Sequence, residues 1–144
     1  MLLTGSVQID AERAFARAAR GRRLASLIGR LRGQRARTLP IYHPASQRVV
    51  VRRGVQAIPL DAIRGTLEPT RAEDFDAEFR PAPHARHRWQ RVWMAEQRGA
   101  GLPPVSVVPV GDAYALRDGH HRVSVARARG AIAIDAQLDD TLLI

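Results

Sequence analysis

The sequence predicts a small α+β domain, a small mixed sheet with packed helices, preceded by a basic helical arm. Three observations carry that expectation. Short apolar runs bounded by glycine, proline and aspartate alternate with helical patterns over residues 54–144. A chain of 144 residues that is 45% hydrophobic and 26% charged suits one soluble domain with a modest core. The net charge of +9 is uneven: residues 1–53 hold 12 arginines against Asp10 and Glu12, whereas residues 54–144 hold 11 against 12 carboxylates. The chain is therefore divided into an arm and linker, 1–53, and a domain, 54–144.

In the arm, Asp10 before Ala11-Glu12-Arg13 reads as a helix cap. Phe15, Ala18, Ala19, Leu24, Leu27, Ile28 and Leu31 then recur at roughly helical spacing, interrupted by Gly21 and ended near Gly33. The other face carries Arg13, Arg17, Arg20, Arg23 and Arg30. Three readings stay open for these arginines: a solvated face, contact with nucleic acid, or contact with a membrane surface or partner helix. With only Phe15 and Tyr42 as aromatics here, nucleic-acid contact would be phosphate-directed and salt-sensitive. A polar segment with Pro40 and Pro44 leads to a short strand, Arg48 to Arg52.

Val55 to Leu60 reads as a second strand with Pro59 at its end, and Asp61 to Gly65 as a turn or single helical turn. Thr70-Arg71-Ala72-Glu73 has capping-box spacing, predicting a helix through Asp74 to Phe79 that Pro81 ends. His84 to Arg98 is a further helix with Ala85, Trp89, Val92 and Trp93 near one face, closed by Gly99 and Gly101. Val105 to Val110, the turn Gly111-Asp112 and Ala113 to Arg117 form strand, turn and strand. A helix from about His120 stops at Gly130, and Ala131 to Leu138 is the last strand.

Several function classes fall away. No apolar run approaches the ~20 residues needed to span a bilayer. The N-terminus lacks a signal-peptide core, so a cytoplasmic location is expected. Without cysteine there is no disulfide, thiolate nucleophile or cysteine-ligated zinc. Glu73, Asp74, Asp76 and Glu78 lack calcium-loop spacing and read as structural. Trp89 and Trp93 read as core, and His84 and His87 as exposed. No metal held by the protein alone is expected.

The chemistry is expected at Asp118-Gly119-His120-His121-Arg122, between a strand and a helix. A glycine turn at a helix start exposes backbone N–H groups that attract phosphate, and Arg122 adds a planar cationic fork. The neighbouring histidines would point about 100° apart on a helix, unsuited to chelating one metal. Asp118 can cap the helix, bind a metal with phosphate or accept a proton. A solvated loop is the plain alternative for the histidines, and Ser124 reads as an ordinary helix residue.

Laid out together, these residues resemble the ParB/sulfiredoxin-like superfamily over about residues 55–138. The resemblance runs through Ile58 to Arg64, then Gly101 to Val105, Gly111 to Leu116, Gly119 to Arg122, Ala126-Arg127 and Gly130. In that superfamily a glycine–charged–charged–arginine box holds nucleotide phosphates, of CTP in ParB-type proteins and ATP in sulfiredoxins. The resemblance thus implies a nucleotide, CTP or ATP/ADP with Mg2+, at Gly119, His120, His121 and Arg122. Here His120 and His121 replace the ParB glutamate and first arginine, and Pro103 stands where a glutamine is usual. His120 also takes the place of the sulfiredoxin cysteine, so sulfinic-acid reduction by that route is not expected. The Asp-Gly-His version is similar to free-serine-kinase relatives, which implies Asp118 and, by a looser match, Glu68 as catalytic residues of a small-molecule phosphotransferase. The expected function is a nucleotide-binding module, DNA-associated or bound to an acidic partner through its basic arm. The alternatives are that phosphotransferase and a non-catalytic interaction domain.

Overall fold

The computed structural model describes residues 3–35, 38–43 and 48–143; Pro44 of the expected linker lies outside them. The architecture is a mixed α+β fold on a five-stranded sheet. Its elements are α1 (Val7–Leu31), β1 (Arg48–Pro59), β2 (Ile63–Thr66), α2 (Pro69–Ala72), α3 (Arg86–Gln97), β3 (Val105–Val110), β4 (Ala113–Asp118), α4 (His120–Ala128) and β5 (Ala133–Leu143). The sheet order is β1-β5-β3-β4-β2. β1 pairs antiparallel with β5 and β3 with β4, while β5–β3 and β4–β2 are parallel. No helix among the described residues is long and apolar enough to cross a membrane.

The core lies where α1, α3 and α4 meet the sheet. Trp89 and Trp93 from α3 are fully buried with Val123 and Val125 of α4 and Val105, Val107 and Leu116 of the sheet. Phe15 of α1 meets Trp89 edge-on with ring centroids 5.6 Å apart. The indole N–H of Trp89 donates to Ser124 Oγ at 2.8 Å, and the Ser124 hydroxyl donates to the Phe79 carbonyl. Ser124, read as an ordinary helix residue, is thus a buried polar link between α3, α4 and the 74–81 segment. Without it the tryptophan N–H would be an orphaned donor in the core.

The structure corrects several local expectations. Ser6, not Asp10, caps α1, its hydroxyl accepting from Ile9 N at 3.4 Å. Asp10 is buried and accepts from Thr4 N and Oγ1 at 2.9 and 2.8 Å. Gly21 does not interrupt α1, which runs on to Leu31. The two strands expected at 48–52 and 55–60 are one, bulged between Arg52 and Gly54, so the 53/54 division falls within β1. Buried Ala11, Ala14, Phe15 and Ala19 likewise tie the first half of α1 into the core.

No helix forms over Asp74 to Phe79. The helix there is only Pro69–Ala72, and the Asp76 carboxylate instead receives the backbone N–H groups of Glu78 and Arg80 at 3.0 and 2.8 Å. This side-chain competition for backbone donors turns the chain. It lets Phe75 and Phe79 both point into the core, the latter at a φ of 62°. The turn or single helical turn expected at Asp61–Gly65 is present only at its start, and Ile63 to Gly65 belong to a strand. Leu60–Ala62 forms one tight turn, and β2 follows at the sheet edge. A strap from Pro40 to Tyr42 pairs with β2 through Thr66 N to Pro40 O at 2.9 Å and Tyr42 N to Thr66 O at 2.8 Å. Gly65 permits this contact, since a Cβ there would sit 2.3 Å from Tyr42 Cε2.

Candidate functional site

The parallel pairing of β2 and β4 builds the site. Thr66 lies opposite Leu116, and Leu67 N donates to Leu116 O at 2.9 Å. Asp118 ends β4, whereas Glu68 lies two residues past the end of β2, at the cap position of α2. Both residues follow the parallel pairing of β2 and β4 on its C-terminal side. Glu68 is exposed and Asp118 is 79% exposed.

α4 opens directly after Asp118. Its cap is Gly119, not the Asp118 side chain, and Gly119 has a φ of 103°. A Cβ at this position would also meet Val105 Cγ1 at 2.5 Å, so both conformation and space demand glycine. The first helical bond runs from Val123 N to Gly119 O at 3.0 Å. The amides of His120, His121 and Arg122 thus form the first turn, whose N–H groups have no partner within the helix.

The histidines are not in a solvated loop. His120 is 4% exposed and His121 is 7% exposed. His120 Nε2 lies 2.7 Å from Thr66 Oγ1, which also receives Glu68 N–H at 2.8 Å. Thr66 thereby fastens the Glu68 backbone to α4. Phe75 stacks on His120 at 6.3 Å and meets His121 edge-on at 5.2 Å. Burial pushes His120 down to about 4, reinforced by Arg71 and His121 against the pull of Asp118 and Asp74. Burial likewise pushes His121 down to about 4, with Arg88 and Arg71 adding to it and Asp74 opposing. Both rings are neutral at pH 7, so they shape the site and contribute no charge.

Arg122 is a brace. Its Nη1 donates to the carbonyls of Pro103 and, at 3.1 Å, Pro104, while Nη2 lies 3.4 Å from Asp118 Oδ2. This guanidinium holds the 103–104 loop against the start of α4. Asp74 is engaged by His84 Nε2 at 2.6 Å and Arg71 at 3.5 Å, in keeping with a structural acidic group. No group of three metal-ligating side chains occurs among the described residues.

The arginines singled out on α1 line different clefts or none. All five are exposed. Arg17 lines a cleft of about 620 Å³ between α1, α3 and α4. Arg23 and Arg30 line a second cleft of about 1220 Å³, and Arg13 and Arg20 line neither. Neither cleft includes Asp118 to Arg122. Sequence reasoning missed Thr66, which bonds His120, because β2 itself was not recognised, and it missed the influence of Arg71 of α2 on both histidines. No local signal marked Thr66 as the partner of His120, 54 residues away.

No protein-family model matches the chain, and no curated protein matches its sequence. Among solved structures, sulfiredoxin from Arabidopsis thaliana is similar at 20% identity and a TM-score of 0.43. That similarity covers 58% of this chain and 82% of the sulfiredoxin.

Proposed function

We propose that this chain is a nucleotide-binding module that receives phosphates at the start of α4, between the ends of β2 and β4. The observation that carries the reading is the start of α4 at Gly119, with Arg122 and the exposed Asp118 beside it. Gly119, His120, His121 and Arg122 supply backbone donors, and helix N-termini favour phosphate. The neutral rings of His120 and His121 keep the first turn rigid from below. CTP, ATP and ADP are the candidate nucleotides. Glu68 and Asp118 have the hard oxygen ligands that suit Mg2+, which would offset phosphate charge when bound.

The bond from Glu68 N–H to Thr66 Oγ1, which also meets His120 at the start of α4, favours a second reading, phosphoryl transfer to a small hydroxyl substrate. The hydroxyl oxygen would form a bond to the terminal phosphorus as the bond to the nucleotide's bridging oxygen breaks. The hydroxyl proton would pass to the Glu68 carboxylate, and Asp118 would hold the phosphate end with the metal. The exposed Arg13, Arg17, Arg20, Arg23 and Arg30 extend the reading to contact between α1 and DNA or an acidic partner.

Thermal unfolding with a nucleotide panel, with and without Mg2+, tests the first reading. A nucleotide at 100 times its dissociation constant adds about 2.7 kcal/mol to stability, enough for a shift of several degrees. A panel in which no nucleotide raises the melting temperature overturns it. Transfer of phosphate from ATP or ADP to serine that survives Glu68→Gln overturns Glu68 as the base.

A further inference from the structure

The second half of α1 is turned inside out relative to the first. In the first half Ala11, Ala14, Phe15 and Ala19 face the core. The same helical face continued C-terminally presents Arg22, Ala25, Ser26 and Gly29, while Leu24, Leu27, Ile28 and Leu31 are exposed. Between that polar inner face and the strap, β2 and the 76–80 segment lies the cleft of about 1220 Å³. Pockets for single small molecules usually measure about 300–1,000 Å³.

The cleft is strongly cationic. Arg80 is balanced by Asp76 and Glu78 at 3.3 and 3.1 Å, and Arg127 lies 3.6 Å from Asp61. Arg22, Arg23, Arg30, Arg35 and Arg64 line the same space with no carboxylate partner among the described residues. Arg22 Nε is moreover buried with no hydrogen-bond partner there. A buried donor left without an acceptor is costly, and like charges lining one cavity repel. An anion in the cleft relieves the repulsion. Arg22 and Arg30 are eight residues apart on α1, about 12 Å along the axis, which calls for an extended anion. Guanidinium forks match phosphate oxygens in pairs.

We propose that this cleft binds a single-stranded phosphodiester backbone, with phosphates at the five guanidinium groups that have no carboxylate partner and Arg22 at its centre. The proposal rests on the nucleic-acid part of the reading of α1 and is independent of the nucleotide site. It gives the basic helix a defined surface, its inner face, in place of the outward Arg13 and Arg20.

Fluorescence anisotropy of the full chain with labelled dT12 between 50 and 200 mM salt tests it. Five contacts to a single strand predict a log–log salt slope of about −3.5, roughly a 100-fold loss of affinity over that range. Arg22→Gln and Arg64→Gln should each reduce the slope by about 0.7. Arg91→Gln, an exposed arginine of α3 outside the cleft, should leave it unchanged. If Arg22→Gln and Arg64→Gln have no effect while Arg13→Gln and Arg20→Gln weaken binding, the cleft is overturned and the outward helix face stands. No binding of dT12 at 50 mM salt overturns the nucleic-acid reading of α1 altogether. Tighter binding of inorganic polyphosphate, or equal displacement by polyglutamate of matched charge, overturns the phosphodiester assignment.

Discussion

Lowering the pH from 7.0 to 5.0 should destabilise the fold through His120 and His121. Both imidazoles are held down to about 4 in the folded state, chiefly by burial, against about 6.5 when exposed. Between those values the unfolded chain binds more protons than the folded one, so stability falls as pH falls. The contribution is complete above pH 6.5 and is lost progressively towards pH 4. At pH 5.0 each ring favours the unfolded chain by about 2 kcal/mol, against about 0.2 kcal/mol at pH 7.0. The pair therefore removes about 3–4 kcal/mol, a large fraction of the ~5–15 kcal/mol typical of a domain. With a urea m value of about 2 kcal/mol per molar, the unfolding midpoint should drop by roughly 2 M. Tryptophan fluorescence is the readout, since Trp89 and Trp93 are both buried in the core. His121→Phe, which keeps an aromatic ring against Phe75, should halve the pH-dependent loss. A midpoint that is flat or rises from pH 7.0 to 5.0 would refute the reasoning. So would an unaltered pH slope in His121→Phe.

Other substitutions probe separate links. Ser124→Ala orphans the Trp89 N–H and should cost about 1–3 kcal/mol by urea unfolding, with far-UV circular dichroism unchanged. Gly119→Ala forces Val105 aside at an unfavourable φ, and should lower the melting temperature by at least several degrees while Gly111→Ala, with open space around it, costs less. Gly65→Ala should release the strap, read as faster amide exchange at Tyr42 and Thr66 with the β3–β4 pairing still protected. Equal protection of Tyr42 in both proteins would show that the strap is not held by that contact.

What was legible in the sequence is what local period and turn chemistry control. β3 and β4 follow from alternation on either side of Gly111-Asp112, and α3 from Trp89 and Trp93 one turn apart. β2 was hidden because four residues carry no period, and Gly65 is required by Tyr42 rather than by a turn. The 74–79 segment mimicked a helix because its acidic residues suit a first turn. In the fold the Asp76 carboxylate captures the next backbone amides instead. The box was placed correctly between strand and helix, but the state of its histidines was not readable. Their burial comes from Phe75 and Thr66, which are remote in sequence. Nor does helical spacing alone say which half of α1 has a surface to pack on.

The strap over β2 also bears on how this sheet avoids growing. A sheet edge is a template for a strand from another chain. At one edge the exposed groups of Thr66 are already taken by Pro40 and Tyr42, and Pro40 has no N–H to offer a newcomer. At the other, the 12-residue β1 is broken by the bulge at Arg52/Gly54. Removing the strap would therefore do more than loosen one loop. It would uncover a parallel edge beside the proposed site and invite self-association there, so colloidal behaviour and site integrity depend on the same three residues.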